Sequence, residues 1–191
     1  MVSAALLFGL LLTATVTDVR WGTIYNWTTY PGMLLALLGS GAASLLGLEA
    51  DGFAGTETPL WGFVPFDDSL FGLLACGAVM VCCYVFLPGI GGGDLKLIAM
   101  MGAFLGVYSG LEAMLWTFVV GACMAVAVLI WRTGLLTLLR LAARYAYGVV
   151  KLRTLNPLSQ EQREPLKTDL YLSPSALAAV VIVYFQLMEL F

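Results

Sequence analysis

Residues 69–100 read SLFGLLACGAVMVCCYVFLPGIGGGDLKLIAM, and this stretch decides the architecture. Residues 69–87 carry no charge. At 1.5 Å per residue they reach roughly 28 Å, close to the ~30 Å hydrocarbon core of a bilayer. Pro88-Gly89 and then Gly91-Gly92-Gly93 stop the helix, because proline lacks the amide that continues the ladder and glycine favours turns. A second apolar run starts at Leu95. The stretch therefore predicts two successive membrane helices joined by a glycine-rich break, with an acid, Asp94, at the start of the second.

The rest of the chain repeats the pattern. Further apolar runs cover 2–17, 28–48, 111–131 and 172–190, and the run after the glycine break covers 95–108. Over the 191 residues, 61% are hydrophobic and 11% charged, and the mean hydropathy is +0.94. Soluble domains average about 45–50% apolar and about 25% charged. The expected fold is an all-α polytopic membrane protein with about six transmembrane helices. The first run has no Lys or Arg ahead of it and no small-x-small cleavage site, so it reads as a retained helix and not a secretory signal. Pro31 stands near the start of the second run, where proline is tolerated. Gly102, Gly106 and Gly110 read as a small-residue face suited to close helix contact. Residues 134–153 place Arg140, Arg144 and Lys151 on one helical face, which predicts an amphipathic helix on the membrane surface. Crossing the membrane there would bury both arginines at about 2.5–3.5 kcal/mol each.

Charge placement sets an orientation. Of nine Lys and Arg, seven lie in 132–168, and the other two are Arg20 and Lys96. The 49–68 loop has none and carries Glu49, Asp51, Glu57, Asp67 and Asp68. Basic residues collect in cytoplasmic loops. Six helices with the N-terminus outside put every basic residue on the cytoplasmic side. One membrane-embedded domain over 1–191 is expected, with an outer acidic loop at 49–68 and a basic cytoplasmic segment at 132–168. The net charge of −3 and the lack of a basic face give no reason to expect nucleic-acid binding. The chain has no histidine, which excludes Ser-His-Asp and Cys-His nucleophile systems and HExxH zinc sites. Cys76, Cys82, Cys83 and Cys123 lie in apolar runs without CxxC spacing, so no metal site is expected.

In this layout Asp18 ends the first helix and Asp94 begins the fourth, both on the cytoplasmic side. Ionisable groups at membrane depth are costly and mark function. Two neighbouring carboxyls share a proton. The ionised one can take a proton from water, and the protonated one can donate to a scissile carbonyl oxygen. Activity is then expected to fall when both ionise. The bland alternative pairs Asp18 with Arg20 and Asp94 with Lys96 as ordinary helix-end charges. A proton- or ion-coupled transporter and a non-catalytic secretion scaffold are the rival functional classes.

Asp18-Val-Arg20-Trp-Gly-Thr-Ile24-Tyr-Asn26 resembles the D-x-R-x-x-x-I-P-N segment of type IV prepilin peptidases, and Gly91-Gly92-Gly93-Asp94-Leu-Lys96-Leu resembles their G-x-G-D-x-K-L segment. Tyr25 replaces the usual proline, which is expected to loosen the turn after the first helix. The resemblance implies an aspartic endopeptidase with Asp18 and Asp94 as catalytic residues and no cofactor. Gly91, Gly92, Gly93, Lys96, Arg20 and Asn26 would support the site, with the glycines leaving room for an extended substrate. The implied substrate is a pilin-like precursor with a short basic leader, cleaved at the cytoplasmic face of the cell membrane. Membrane lipid is the other expected partner. The large bacterial members carry paired CxxC motifs tied to N-methylation, and this chain has none. It is most similar to the short tight-adherence pilus type or the archaeal preflagellin type, without methyltransferase activity.

Overall fold

A computed structural model of the chain describes residues 2–48, 62–86, 90–134 and 172–185. The described residues are helical, with no strand among them. Five elements follow in order: α1 (Val2–Trp21), α2 (Asn26–Leu46), α3 (Phe66–Phe86), α4 (Gly92–Thr133) and α5 (Ser173–Tyr184). Among the described residues, four helices are long and apolar enough to cross a membrane, α1, α2, α3 and the Gly92–Trp131 part of α4. The surface helix expected over 134–153 lies outside the described residues, as do most of the basic 132–168 segment and most of the acidic 49–68 loop. The chain forms two compact units, 1–120 with 171–191, and 121–170. In the second, the described part is the last stretch of α4, where Trp131 is 91% exposed.

α4 is broken. Gly106 has φ +79° and ψ −173°, far from helical values. Two arms result, 92–105 and 107–133. A Cβ placed on Gly110 would stand 3.0 Å from the Gly102 Cα. Eight residues along a straight helix span about 12 Å, so the chain reverses at Gly106. The expected glycine face is thus a hairpin. Gly106 makes the turn, and Gly102 and Gly110 meet across it. The reversal falls at 106 and not between the runs ending at 108 and starting at 111, because only glycine adopts that φ without steric cost. The returning arm starts under a cap from another helix. The Val107 amide donates to Asp68 Oδ1 at 3.0 Å.

The 92–105 arm is the centre of the first unit. Every residue from 97 to 106 is buried. A helix apolar on all sides must be surrounded on all sides, and the contacts show how. Gly72 of α3 lies so near that its Cβ would stand 2.2 Å from the Gly102 carbonyl oxygen. Gly32 of α2 faces Met100 on one side and Leu10 of α1 on the other. α1 packs against both α2 and α5, and α2 against α3. Leu7, Leu11 and Ala14 of α1 and Ala176 and Val180 of α5 complete the core. Outward-facing side chains remain apolar: Leu45 and Trp27 are both 89% exposed and Tyr108 90%. So much exposed apolar surface on helices of this length requires lipid to cover it.

Two details depart from the sequence reading. α2 begins at Asn26, so Pro31 is inside the helix and past its first turn. Residues 62–64, at the end of the expected acidic loop, lie in the core. Phe63 and Val64 are buried, Phe63 stacks on Phe104 with centroids 6.4 Å apart, and the Ser3 hydroxyl donates to the Gly62 carbonyl. Ser3, Gly62, Asp68 and Gly106 thus mark one end of the unit.

Candidate active site

The other end gathers the starts and stops of four helices. α1 continues through Asp18 and ends at Trp21, where Gly22 takes φ +64°. This left-handed residue after a helix is a common terminator. Its amide donates to the Asp18 carbonyl at 2.7 Å, so the stop also fixes the Asp18 backbone. Residues 22–25 then cross to α2. Tyr25, its N-cap, has φ −73° and ψ 137°, with no side-chain cap. The Trp21 and Tyr25 rings meet edge to face at 6.3 Å across the turn.

Against this turn sits the start of α4. A Cβ on Gly93 would stand 3.0 Å from Ile24 Cβ. One on Gly91 would stand 3.1 Å from Asp94 Oδ2, the same oxygen that accepts the Gly91 amide at 3.2 Å. A Cβ on Gly92 would meet nothing within 4 Å. The three glycines therefore differ. Two are needed for close packing within the site, and only Gly92 faces open space. Lys96 Nζ donates to Asn26 Oδ1 at 2.7 Å and lies 5.0 Å from the centre of the Tyr30 ring. Arg20 lies over the Trp21 ring at 5.4 Å. Among the described residues neither cation pairs with its neighbouring aspartate, which removes the basis of the helix-end pairing alternative.

Asp18 is buried at 7% exposure and Asp94 half-buried. They lie near enough for the charge of one carboxylate to act on the other. Each has one anchored oxygen. Asp94 Oδ2 holds the Gly91 amide, and Asp18 Oδ2 accepts the Ser173 hydroxyl at 2.5 Å. The remaining oxygen of each has no hydrogen-bond partner among the described residues, so it can engage water or a carbonyl. No group of three or more His, Cys, Asp or Glu able to hold a metal ion occurs among the described residues.

Ser173 escaped the sequence reading. The Ser-Pro-Ser start of the last helix was visible as a helix beginning. Nothing local marks a partner 155 residues away.

A bundle of apolar helices carries Asp18 in the last turn of one helix and Asp94 in the first turn of another, at the same end and beside a glycine-rich turn. Residues 5–126 match the type IV leader peptidase family, and with more than half its length matched the chain belongs to that family. It is a multi-pass membrane peptidase. No curated protein and no solved structure matches the chain. Where this family's pattern has proline, Tyr25 adopts the φ that a proline ring would impose.

Proposed function

We propose that this protein is an aspartic endopeptidase that removes the short basic leader of pilin-like precursors at the cytoplasmic face of the cell membrane. One observation carries the reading. Asp18 and Asp94 come from helices far apart in sequence and stand at the same end of the unit, with Asp94 within reach of the Asp18 charge. Two such carboxyls cannot both ionise cheaply, so one keeps a proton.

The chemistry follows from that single shared proton. The ionised carboxylate takes a proton from a water molecule, whose oxygen bonds to the scissile carbonyl carbon. The protonated carboxyl gives its proton to the carbonyl oxygen. The tetrahedral diol then collapses: the amine nitrogen takes the proton that the first carboxyl gained, the C–N bond breaks, and one diol hydroxyl gives its proton to the second carboxylate, so the new acid leaves and the single shared proton is restored. The anchored oxygens hold each carboxyl in plane, and the unengaged oxygens carry out the transfers. Six spans with the N-terminus outside place the basic residues Arg20 and Lys96 and both acids on the cytoplasmic side, where the precursor leader lies. The apolar helix of the precursor would rest in lipid beside the bundle. Methylation of the new N-terminus is not part of the activity proposed.

The test is cleavage of a co-expressed pilin precursor by wild type, Asp18→Asn and Asp94→Asn, read as a gel shift. Both variants should insert normally and lose cleavage by at least ~1,000-fold, since each removes one of two obligatory proton carriers. Cleavage surviving in either variant would break the pair and reopen the transporter and scaffold readings.

A further inference from the structure

The peptidase reading uses α1, α2 and α4 and leaves α5 without a task. Yet α5 begins against Asp18. We propose that Ser173 is a positioning residue that fixes the orientation of the Asp18 carboxyl for catalysis. The inference rests on the reading of Asp18 and Asp94 as the catalytic pair.

Serine at a helix start ordinarily caps its own helix, accepting a hydrogen bond from an amide one turn on. Ser173 does not. The N-cap of α5 is Leu172, which makes no side-chain cap. Local bonding is handled by Ser175, whose hydroxyl donates to the Leu172 carbonyl at 2.6 Å. The Ser173 hydroxyl points across the helix boundary instead and donates to Asp18 Oδ2 at 2.5 Å. The Thr15 hydroxyl lies 3.3 Å from the Ser173 carbonyl but gives its single proton to the nearer Leu11 carbonyl at 2.7 Å. The bond to Asp18 is therefore what ties the fully buried Ser173 to α1.

This arrangement answers a geometric need. The carboxyl torsion of an aspartate is broad and roughly two-fold. A buried carboxyl without a partner turns until it finds one. The Asp94 carboxyl is held by its own turn through the Gly91 amide. No backbone amide holds Asp18 among the described residues, and α1 cannot offer one, because its amides are committed to the helix. A donor must come from elsewhere, and Ser173 supplies it. With Oδ2 held, Oδ1 is the oxygen left for water and for Asp94. Residue 173 also lies outside the matched 5–126 segment.

The experiment compares wild type with Ser173→Ala, Ser173→Cys and Ser173→Thr in detergent-solubilised full-length protein, with Asp18→Asn and Asp94→Asn alongside. A synthetic pilin-precursor peptide serves as substrate, and kcat and KM are measured separately. Ser173→Ala should lower kcat about tenfold or more with KM unchanged, since a displaced reacting group slows chemistry without touching substrate binding. Ser173→Cys keeps the volume but is a weak donor, so it should be as slow as Ser173→Ala. Ser173→Thr keeps the hydroxyl and should hold kcat within about threefold of wild type. A packing role alone predicts that cysteine restores wild-type turnover, and that result overturns the proposal. So does Ser173→Ala with wild-type kcat while both Asn variants are inactive. Active Asn variants would instead remove the dyad itself, and this inference with it.

Discussion

Gly93→Ala puts the contact between the two motifs under load. The added Cβ would stand 3.0 Å from Ile24 Cβ and 3.5 Å from its Cγ1 and Cδ1. Carbon atoms rest at about 3.5–4.0 Å, so Ile24 must give by a few tenths of an ångström. Overpacking of this kind costs typically ~1–3 kcal/mol. Ile24 is only half-buried and can yield outward, which places the cost near the lower end, about 1 kcal/mol. The displacement lands on the 22–25 turn, which ties Asp18 on α1 to Asn26 on α2. A shift of about 1 Å in catalytic geometry can cost on the order of 100-fold in rate. A few tenths of that shift scale to a smaller loss, so we expect Gly93→Ala to cut precursor cleavage roughly 3- to 10-fold while lowering thermal stability in detergent only slightly. Gly92→Ala is the control. Its Cβ meets no protein atom within 4 Å, so it should fold as wild type and, through reduced freedom of the unfolded chain, be up to ~1 kcal/mol more stable. The assay is single-turnover gel-shift cleavage with a thermal unfolding scan of each variant. Full activity in Gly93→Ala, or equal loss of thermal stability in Gly92→Ala, would refute the idea that Ile24 and Gly93 lock the site.

Two further outcomes are expected. The proposed dyad works with one proton between two carboxyls, so kcat/KM should fall at acid pH, where both are protonated, and again at alkaline pH, where both ionise. A profile flat to strongly alkaline pH would remove the shared-proton mechanism. Gly72→Ala should destabilise the protein by about 2–3 kcal/mol or more, because its Cβ would be 2.2 Å from a backbone oxygen that cannot rotate away. Gly77→Ala meets only Ala99 Cβ at 3.7 Å, and should melt near wild type. Equal melting temperatures in the two variants would deny the close α3–α4 crossing.

Much of this was legible in the chain itself. Apolar runs announced the helices, because a hydrocarbon solvent leaves little choice of side chain. Asp18 and Asp94 stood out because acids at helix ends in such a chain are rare and costly. Two motifs pointed to the family that the 5–126 match establishes. Other features were hidden for physical reasons. Four-residue glycine spacing is the same whether glycines line one helix or fold it back, and only the φ of Gly106 tells them apart. Lys96 stood two residues from Asp94 in sequence, yet a helix turns consecutive side chains apart, and it reaches Asn26 instead. The link from Ser173 to Asp18 depends on how α5 docks, which no local pattern encodes.

The hairpin turn has a consequence for how the protein can vary. Gly106 lacks a side chain where the Asp68 carboxylate needs room: a Cβ there would fall 2.1 Å from Asp68 Oδ2. The same carboxylate accepts the amide of Val107. A side chain at 106 would evict the acceptor, and loss of the acid would strand an amide in an apolar environment. Neither position can drift alone. Residues 38 apart in sequence form one structural unit, half of it a carboxylate and the other half the empty space it occupies.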